Sequence, residues 1–168
     1  VWVQALPLAE VTETGNPWVN VLLFLATCLS TVWAGSGTLN PFADPARLFV
    51  GAQFAIALLS ILGTHEFGHY YACRFYGVDA SLPYFLPVPL PLTGTLGAFI
   101  RIRQLIPGKR QLFDIGIAGP IAGFLVAVPL LLLGVGLSRV TALPDDTGAF
   151  IELGEPLLFR AVAWLFWG

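Results

Sequence analysis

Long apolar runs are the feature of this sequence that most limits its possible folds. Three runs, at residues 18–34, 46–75 and 113–137, contain few charged residues. An α-helix needs about 20 such residues to cross the hydrocarbon core of a bilayer. The chain has 168 residues and only 11% of them are charged, whereas soluble domains carry about 25%. We therefore expect an integral, multi-pass membrane protein with three transmembrane helices at these positions.

The two ends of the sequence extend this expectation. Residues 156–168 are again mostly apolar and predict the start of a fourth helix. Residues 1–17 are mixed in character and predict a short lead-in outside the membrane, and the acidic stretch 138–155 predicts an exposed loop. The chain contains no methionine, so we expect residues 1–168 to be a single membrane-embedded core fragment of a longer protein.

The connection between the second and third helices, residues 77–111, has a different pattern. Four prolines exclude a regular helix between residues 82 and 92, although this stretch is too apolar for an ordinary loop in water. Irregular backbone at membrane depth is tolerated only where it is buried in protein or lines a cavity. Residues 97–103 then alternate, with Ile100 and Ile102 on one side and Arg101 and Arg103 on the other, which is strand periodicity. The predicted fold class is membrane all-α, with a small membrane-associated strand or hairpin segment in this connection.

The distribution of charge gives a topology and excludes one class of partner. The net charge of −2 provides no basic surface for nucleic acid. Five of the eight basic residues lie in the last turn of the second helix or between it and the third: Arg74, Arg101, Arg103, Lys109 and Arg110. Because basic residues favour the cytoplasmic side of a membrane, this connection is expected there, and the acidic loop outside. The lipid bilayer is the expected surrounding of the helices.

The second helix ends with a motif that combines both histidines of the chain with a carboxylate. His65 and His69 are four residues apart, and Glu66 directly follows the first. On a helix, positions four apart project within about 40° of each other, so both imidazoles can approach one metal ion. Two histidines, a further ligand and an open water position are typical of catalytic zinc. Zinc lowers the pKa of its water from 15.7 towards about 7, and Glu66 would act as general base and then as proton donor.

Other readings of the same residues remain open. This motif also arises by chance in soluble helices, but ionisable residues inside a membrane are costly and indicate function. A transporter or ion-binding membrane protein would use the three side chains to relay protons or to bind an ion. A catalytically inactive membrane scaffold is a third possibility. A di-iron desaturase is disfavoured, because two histidines cannot supply its several histidine boxes.

Three glycines are expected to permit close helix packing near the motif. Gly68 lies inside the motif and is predicted to let another element approach the metal. In the third helix, Gly119 and Gly123 are separated by three residues, a spacing that lets another backbone come close.

Together these residues resemble the site-2 protease family of intramembrane zinc metalloproteases, peptidase family M50. The resemblance rests on residues 65–69 in a membrane helix, supported in order by residues 77–84, 94–100 and 113–123. It implies that His65 and His69 bind Zn²⁺ and that Glu66 is the catalytic carboxylate. It also implies a transmembrane protein as substrate, cleaved by metal-activated water, and strand structure beside the active site. The distribution of basic residues, with the motif late in the second helix, places that site nearer the cytoplasmic face.

In this family the third zinc ligand is an aspartate of an Asp-Gly pair in a later helix. No Asp-Gly pair occurs in this sequence, so the third ligand is expected beyond Gly168, and these residues alone are not expected to be active. A substrate helix hides its peptide carbonyls in internal hydrogen bonds and must unwind before attack. The predicted strand at residues 98–103 is expected to hold the extended segment by edge pairing.

Overall fold

The structure is a computed structural model that describes residues 15–38, 40, 44–139 and 154–168. Most of the predicted lead-in and of the predicted acidic loop lies outside these residues. Contacts group the chain into two compact units, Val1–Gly123 and Phe124–Gly168, and each is described by itself. The expectation of a single core fragment stays a prediction.

Four helices form most of the described chain: α1 (Pro17–Ser36), α2 (Pro45–Phe75), α3 (Lys109–Leu137) and α4 (Leu157–Trp167). The first three are long and apolar enough to cross a membrane. With a small two-stranded sheet between α2 and α3, the predicted fold class is confirmed. The one clear difference is that α3 begins at Lys109 instead of residue 113. Hydrophobicity alone places this polar first turn in the connection. The turn is nevertheless helical, because lysine, arginine and glutamine are all good helix formers.

The first two helices begin with the same local arrangement. The Asn16 side chain accepts a hydrogen bond from the Trp18 amide at 3.0 Å, and the Asp44 side chain accepts one from the Ala46 amide at 2.9 Å. In each helix the residue after the cap is a proline, which has no N–H to leave unpaired.

The connection between α2 and α3 folds into an antiparallel hairpin of β1 (Tyr84–Pro87) and β2 (Thr95–Phe99). Beyond the named strands the pairing continues through a bridge between Ala80 and Ile102. The predicted strand at residues 97–103 is thus partly β2 and partly this extension. The sequence did not predict β1, because its end lies in the proline-rich run, where the pairing is irregular between Phe85 and Pro87.

The hairpin is attached to α1 by polar and aromatic contacts. The buried Asn20 side chain donates hydrogen bonds to the carbonyls of Leu82 and Pro83, each at 3.0 Å. The rings of Phe24 and Phe85 meet edge to face with their centroids 5.0 Å apart. These contacts place β1, and through it β2, at a fixed position beside the helices.

The second unit contains the last part of α3 and α4. Val135 and Val162 are its buried apolar side chains among the described residues. Gly136 of α3 faces the ring of Phe166 in α4. Because glycine has no side chain, the ring can pack directly against the α3 backbone at this point.

Candidate active site

The two histidine side chains of α2 converge at their ring nitrogens. The Nε2 atom of His69 lies 3.2 Å from the Nε2 atom of His65. Two nitrogens bound to one tetrahedral zinc at 2.0–2.1 Å would be about 3.3–3.4 Å apart. The spacing in the structure therefore fits two imidazoles that share one metal ion.

The other ring nitrogen of His69 is occupied by a backbone group of α3. His69 Nδ1 lies 2.7 Å from the carbonyl oxygen of Ile115. Because a carbonyl only accepts hydrogen bonds, Nδ1 carries the proton and donates it, which leaves a lone pair on Nε2. Metal-binding histidines commonly use a carbonyl in this way to fix the ring and its tautomer.

Glycines make the room for both imidazoles. A Cβ atom placed on Gly119 would overlap the His69 ring, and one on Gly123 would lie 3.3 Å from His65 Cβ. On the α2 side of the same contact, a Cβ on Gly68 would lie 2.6 Å from the Ala118 carbonyl oxygen of α3. The predicted close approach at these three glycines is confirmed. The spacing of the glycines did not reveal that Gly119 faces the His69 ring, or that Gly123 faces the His65 side chain as well as the Ile61 backbone.

Glu66 occupies a buried position between the motif helix and the hairpin. Its residue is only 6% exposed, and its carboxyl group interacts with the backbone of Ile100, directly after β2. Glu66 and His69 line the same small cavity. The structure thus brings all three predicted site residues to one place, with β2 beside them.

The two imidazoles have no third side chain beside them that could complete a metal site in the described part of the chain. No group of three or more His, Cys, Asp or Glu residues there is arranged to hold a metal ion. A third ligand beyond Gly168 stays a prediction.

One further contact between α2 and α3 lies at the end of the motif helix. The Tyr76 hydroxyl donates a hydrogen bond of 2.5 Å to Asp114, and the Arg110 side chain lies 3.8 Å from the same carboxylate oxygen. The hydrogen bond to the carboxylate raises the pKa of Tyr76 above its ordinary value. The sequence alone does not pair Tyr76 with Asp114, because a separation of 38 positions leaves no local signal.

Comparison with known proteins places this arrangement in a family. Residues 53–162 match the model of peptidase family M50. The chain is 36% identical to a probable chloroplastic zinc metalloprotease, EGY1 of Arabidopsis thaliana, over 88% of this chain and 31% of that protein. It is also 36% identical to a probable chloroplastic zinc metalloprotease, EGY2 of Oryza sativa subsp. indica, over 73% of this chain and 21% of that protein.

The chain therefore spans less than a third of the length of either relative. No solved structure matches it significantly. The family match covers more than half of the chain and includes the histidine motif, the hairpin and α3. The chain belongs to peptidase family M50, the site-2 protease family.

Proposed function

We propose that this chain forms the catalytic core of an intramembrane zinc endopeptidase that cleaves transmembrane segments of other proteins. The observation that carries the proposal is the pair of Nε2 atoms 3.2 Å apart, with the buried Glu66 carboxyl group beside them. The three residues lie in a helix long and apolar enough to span a membrane. The two relatives are named as probable zinc metalloproteases, which supports the same conclusion.

His65 and His69 are the residues proposed to hold the zinc ion. Their Nε2 atoms face each other, and the Ile115 carbonyl fixes the tautomer of His69 that leaves its Nε2 free to bind. A bound Zn²⁺ would acidify a coordinated water and polarise the scissile carbonyl. The third ligand is proposed to come from a residue outside the described part of the chain.

Glu66 is proposed as the proton carrier of the reaction. It accepts a proton from the attacking water molecule and later donates that proton to the departing amine. Its burial at 6% exposure keeps bulk water away from the carboxyl group. The Ile100 backbone, which interacts with this group, holds it towards the hairpin.

The extension of β2 is proposed to bind the unwound substrate. The Arg101 carbonyl accepts a hydrogen bond from Ser81, and the Arg103 amide donates one to Asp79, so both residues face the hairpin partner. Because backbone groups alternate along a strand, those of Ile100 and Ile102 point to the opposite edge, where Glu66 lies. An extended peptide added at this edge would have its backbone next to the proposed catalytic groups.

The membrane orientation follows from the same connection. Five of the eight basic residues of the chain lie in or next to it. We propose that the connection faces the cytoplasmic side and that the active site lies nearer that side.

Glu66→Gln tests the catalytic proposal. The experiment uses the full-length protein in detergent, with a single-span Ala/Leu substrate that carries a central Asn-Pro pair to loosen its helix. Removal of the general base is expected to lower the cleavage rate about 10²- to 10⁴-fold, while zinc content measured by mass spectrometry is unchanged. The matched control is Glu155→Gln, which neutralises an exposed carboxylate 3.9 Å from Arg160 and is expected to cleave normally. Full cleavage by Glu66→Gln with zinc bound would contradict the mechanism and leave a transporter or scaffold role.

Ile100→Pro tests the role of the strand edge. Proline removes the backbone N–H at this edge, where the Ile100 backbone also interacts with the Glu66 carboxyl group. Cleavage is therefore expected to fall at least about 10-fold, through loss of substrate pairing and of this contact. Ile100→Ala removes the side chain but keeps the N–H and serves as the control. Unchanged cleavage by the proline variant would exclude edge pairing at this residue.

A further inference from the structure

A small apolar cavity opens directly beside the proposed catalytic groups. Its volume is about 310 Å³, and Glu66 and His69 are the two ionisable residues in its lining. The rest of the wall is provided by β2, its extension and the start of α3, mainly through six apolar side chains: Phe99, Ile100, Ile102, Ile106, Leu112 and Ile115. The cavity therefore has two ionisable side chains in its lining and is otherwise apolar.

The size and the lining of the cavity fit a large apolar side chain. A cavity of about 310 Å³ has room for the side chain of a leucine or a phenylalanine. Away from Glu66 and His69, the apolar lining offers no partner to a charged side chain and therefore disfavours one.

Gly116 keeps one wall of this cavity open. Apart from its two chain neighbours and the adjacent backbone of α3, no heavy atom of the described residues lies within 4 Å of the position where a Cβ on Gly116 would be. Only three residues later, a Cβ on Gly119 would overlap the His69 ring. The first glycine thus leaves free volume in the cavity, whereas the second makes room for an imidazole.

The position of the cavity relates it to a bound peptide. Side chains of an extended peptide project to alternate faces and stand roughly perpendicular to the sheet. With a peptide on the free edge at Ile100 and Ile102, one side chain beside the reacting peptide group would reach the cavity that these residues line. Its backbone carbonyl would remain at the mouth, next to Glu66 and His69.

We propose that this cavity is a specificity pocket for one apolar substrate side chain of leucine or phenylalanine size, next to the scissile bond. Ile106, Leu112 and Gly116 determine the size that is accepted. This inference rests on the proposed protease function and adds the class of residue that the site selects.

The test measures side-chain preference in the full-length protein. The bond cleaved in the single-span Ala/Leu substrate is mapped by mass spectrometry, and each residue beside it is changed to Gly, Leu, Phe or Lys. At one of these positions the unmodified protein is expected to prefer Leu or Phe over Gly by about 10-fold or more in kcat/KM and to reject Lys. Equal rates for all four residues at every position would overturn the pocket.

Substitutions in the wall identify which residues set the preference. Gly116→Leu fills the cavity and is expected to lower the Phe-to-Gly preference about 10-fold or more. Ile106→Ala enlarges the cavity and is expected to shift the preference from Leu towards Phe. Gly134→Leu is the matched control, because Gly134 lies in the same helix and also has no atom within 4 Å of an added Cβ. A preference unchanged in both wall variants would overturn the assignment.

A binding measurement separates this inference from the proposed reaction. In the Glu66→Gln variant, photoreactive leucine is placed in turn along the central part of the substrate, and the crosslinked residues are mapped. Crosslinks to Ile106 or Leu112 from one substrate position support the pocket even where no bond is cut. Crosslinks that reach the strand edge but neither of these residues would overturn the pocket and leave the proposed protease function standing.

Discussion

The two halves of α2 pack against two different helices, and glycines lie at both contacts. In the first half, a Cβ on Gly51 would overlap the Val32 carbonyl of α1, and a Cβ on Gly35 of α1 would overlap the Phe54 side chain. In the second half, Gly119 and Gly123 of α3 face the rings and Cβ atoms of His69 and His65. Glycine thus lets helices approach closely at both crossings, since Gly68 also lies against the Ala118 backbone, and at the second crossing it makes room for imidazoles as well.

The polar groups near the two crossings also differ. In α1, the buried hydroxyls of Thr27 and Thr31 donate to the carbonyls of Leu23 and Thr27 in their own helix, each at 2.7 Å. His69 instead donates to Ile115 in a different helix. Polar groups near the α1 crossing are satisfied locally, whereas the geometry of the proposed metal site depends on where α3 lies.

Gly119→Ala is the strongest test of this difference. The added methyl group would overlap the His69 ring, which must leave its hydrogen bond to Ile115. Loss of such an orienting contact lowers metal affinity about 10- to 100-fold, and we expect a drop of this size in zinc affinity measured by chelator competition. Gly134→Ala in the same helix has open space around its Cβ and serves as the control. Equal zinc affinity in both variants would mean that the absence of a side chain at Gly119 is not needed to position the His69 ring.

Gly51→Ala tests the other crossing. Its methyl group would meet the Val32 backbone, which cannot move without shifting α1. Overpacking of this kind lowers the free energy of unfolding by about 1–3 kcal/mol, to be measured by denaturation in detergent. The folded fraction is expected to bind zinc with normal affinity, because the histidines contact α3. Loss of zinc binding with normal stability would contradict the division between the two halves.

Tyr76→Phe examines the polar contact at the outer end of the α2–α3 crossing and should have the smallest effect. Because the hydrogen bond to Asp114 raises the pKa of Tyr76, its stabilisation is fully present below about pH 10, the ordinary tyrosine value. It is lost as the pH rises through the higher pKa of the folded state. The unmodified protein should therefore melt slightly above the variant at pH 7, and the difference should disappear in strong alkali. A difference that grows with pH would contradict this assignment.

Spacing and periodicity predicted much of the fold and the position of the candidate site. Four-residue spacing placed His65 and His69 on one helix face, and apolar runs located the three long helices. The sequence did not predict which α3 residues face the histidines, because Gly119 and Ile115 are about fifty positions away along the chain. The sequence indicated a strand or hairpin in the connection but did not locate β1 within it. Prolines usually argue against a strand, and β1 ends at one of them, Pro87.

The hydrogen bond from His69 to Ile115 has a consequence for the order of assembly. The partner carbonyl belongs to a helix that is synthesised some forty residues after the motif. Until that helix docks, the His69 ring lacks the carbonyl that holds its proton on Nδ1. A nascent chain therefore carries the motif before α3 orients it, and the proposed metal site would take its final geometry only when α3 has docked.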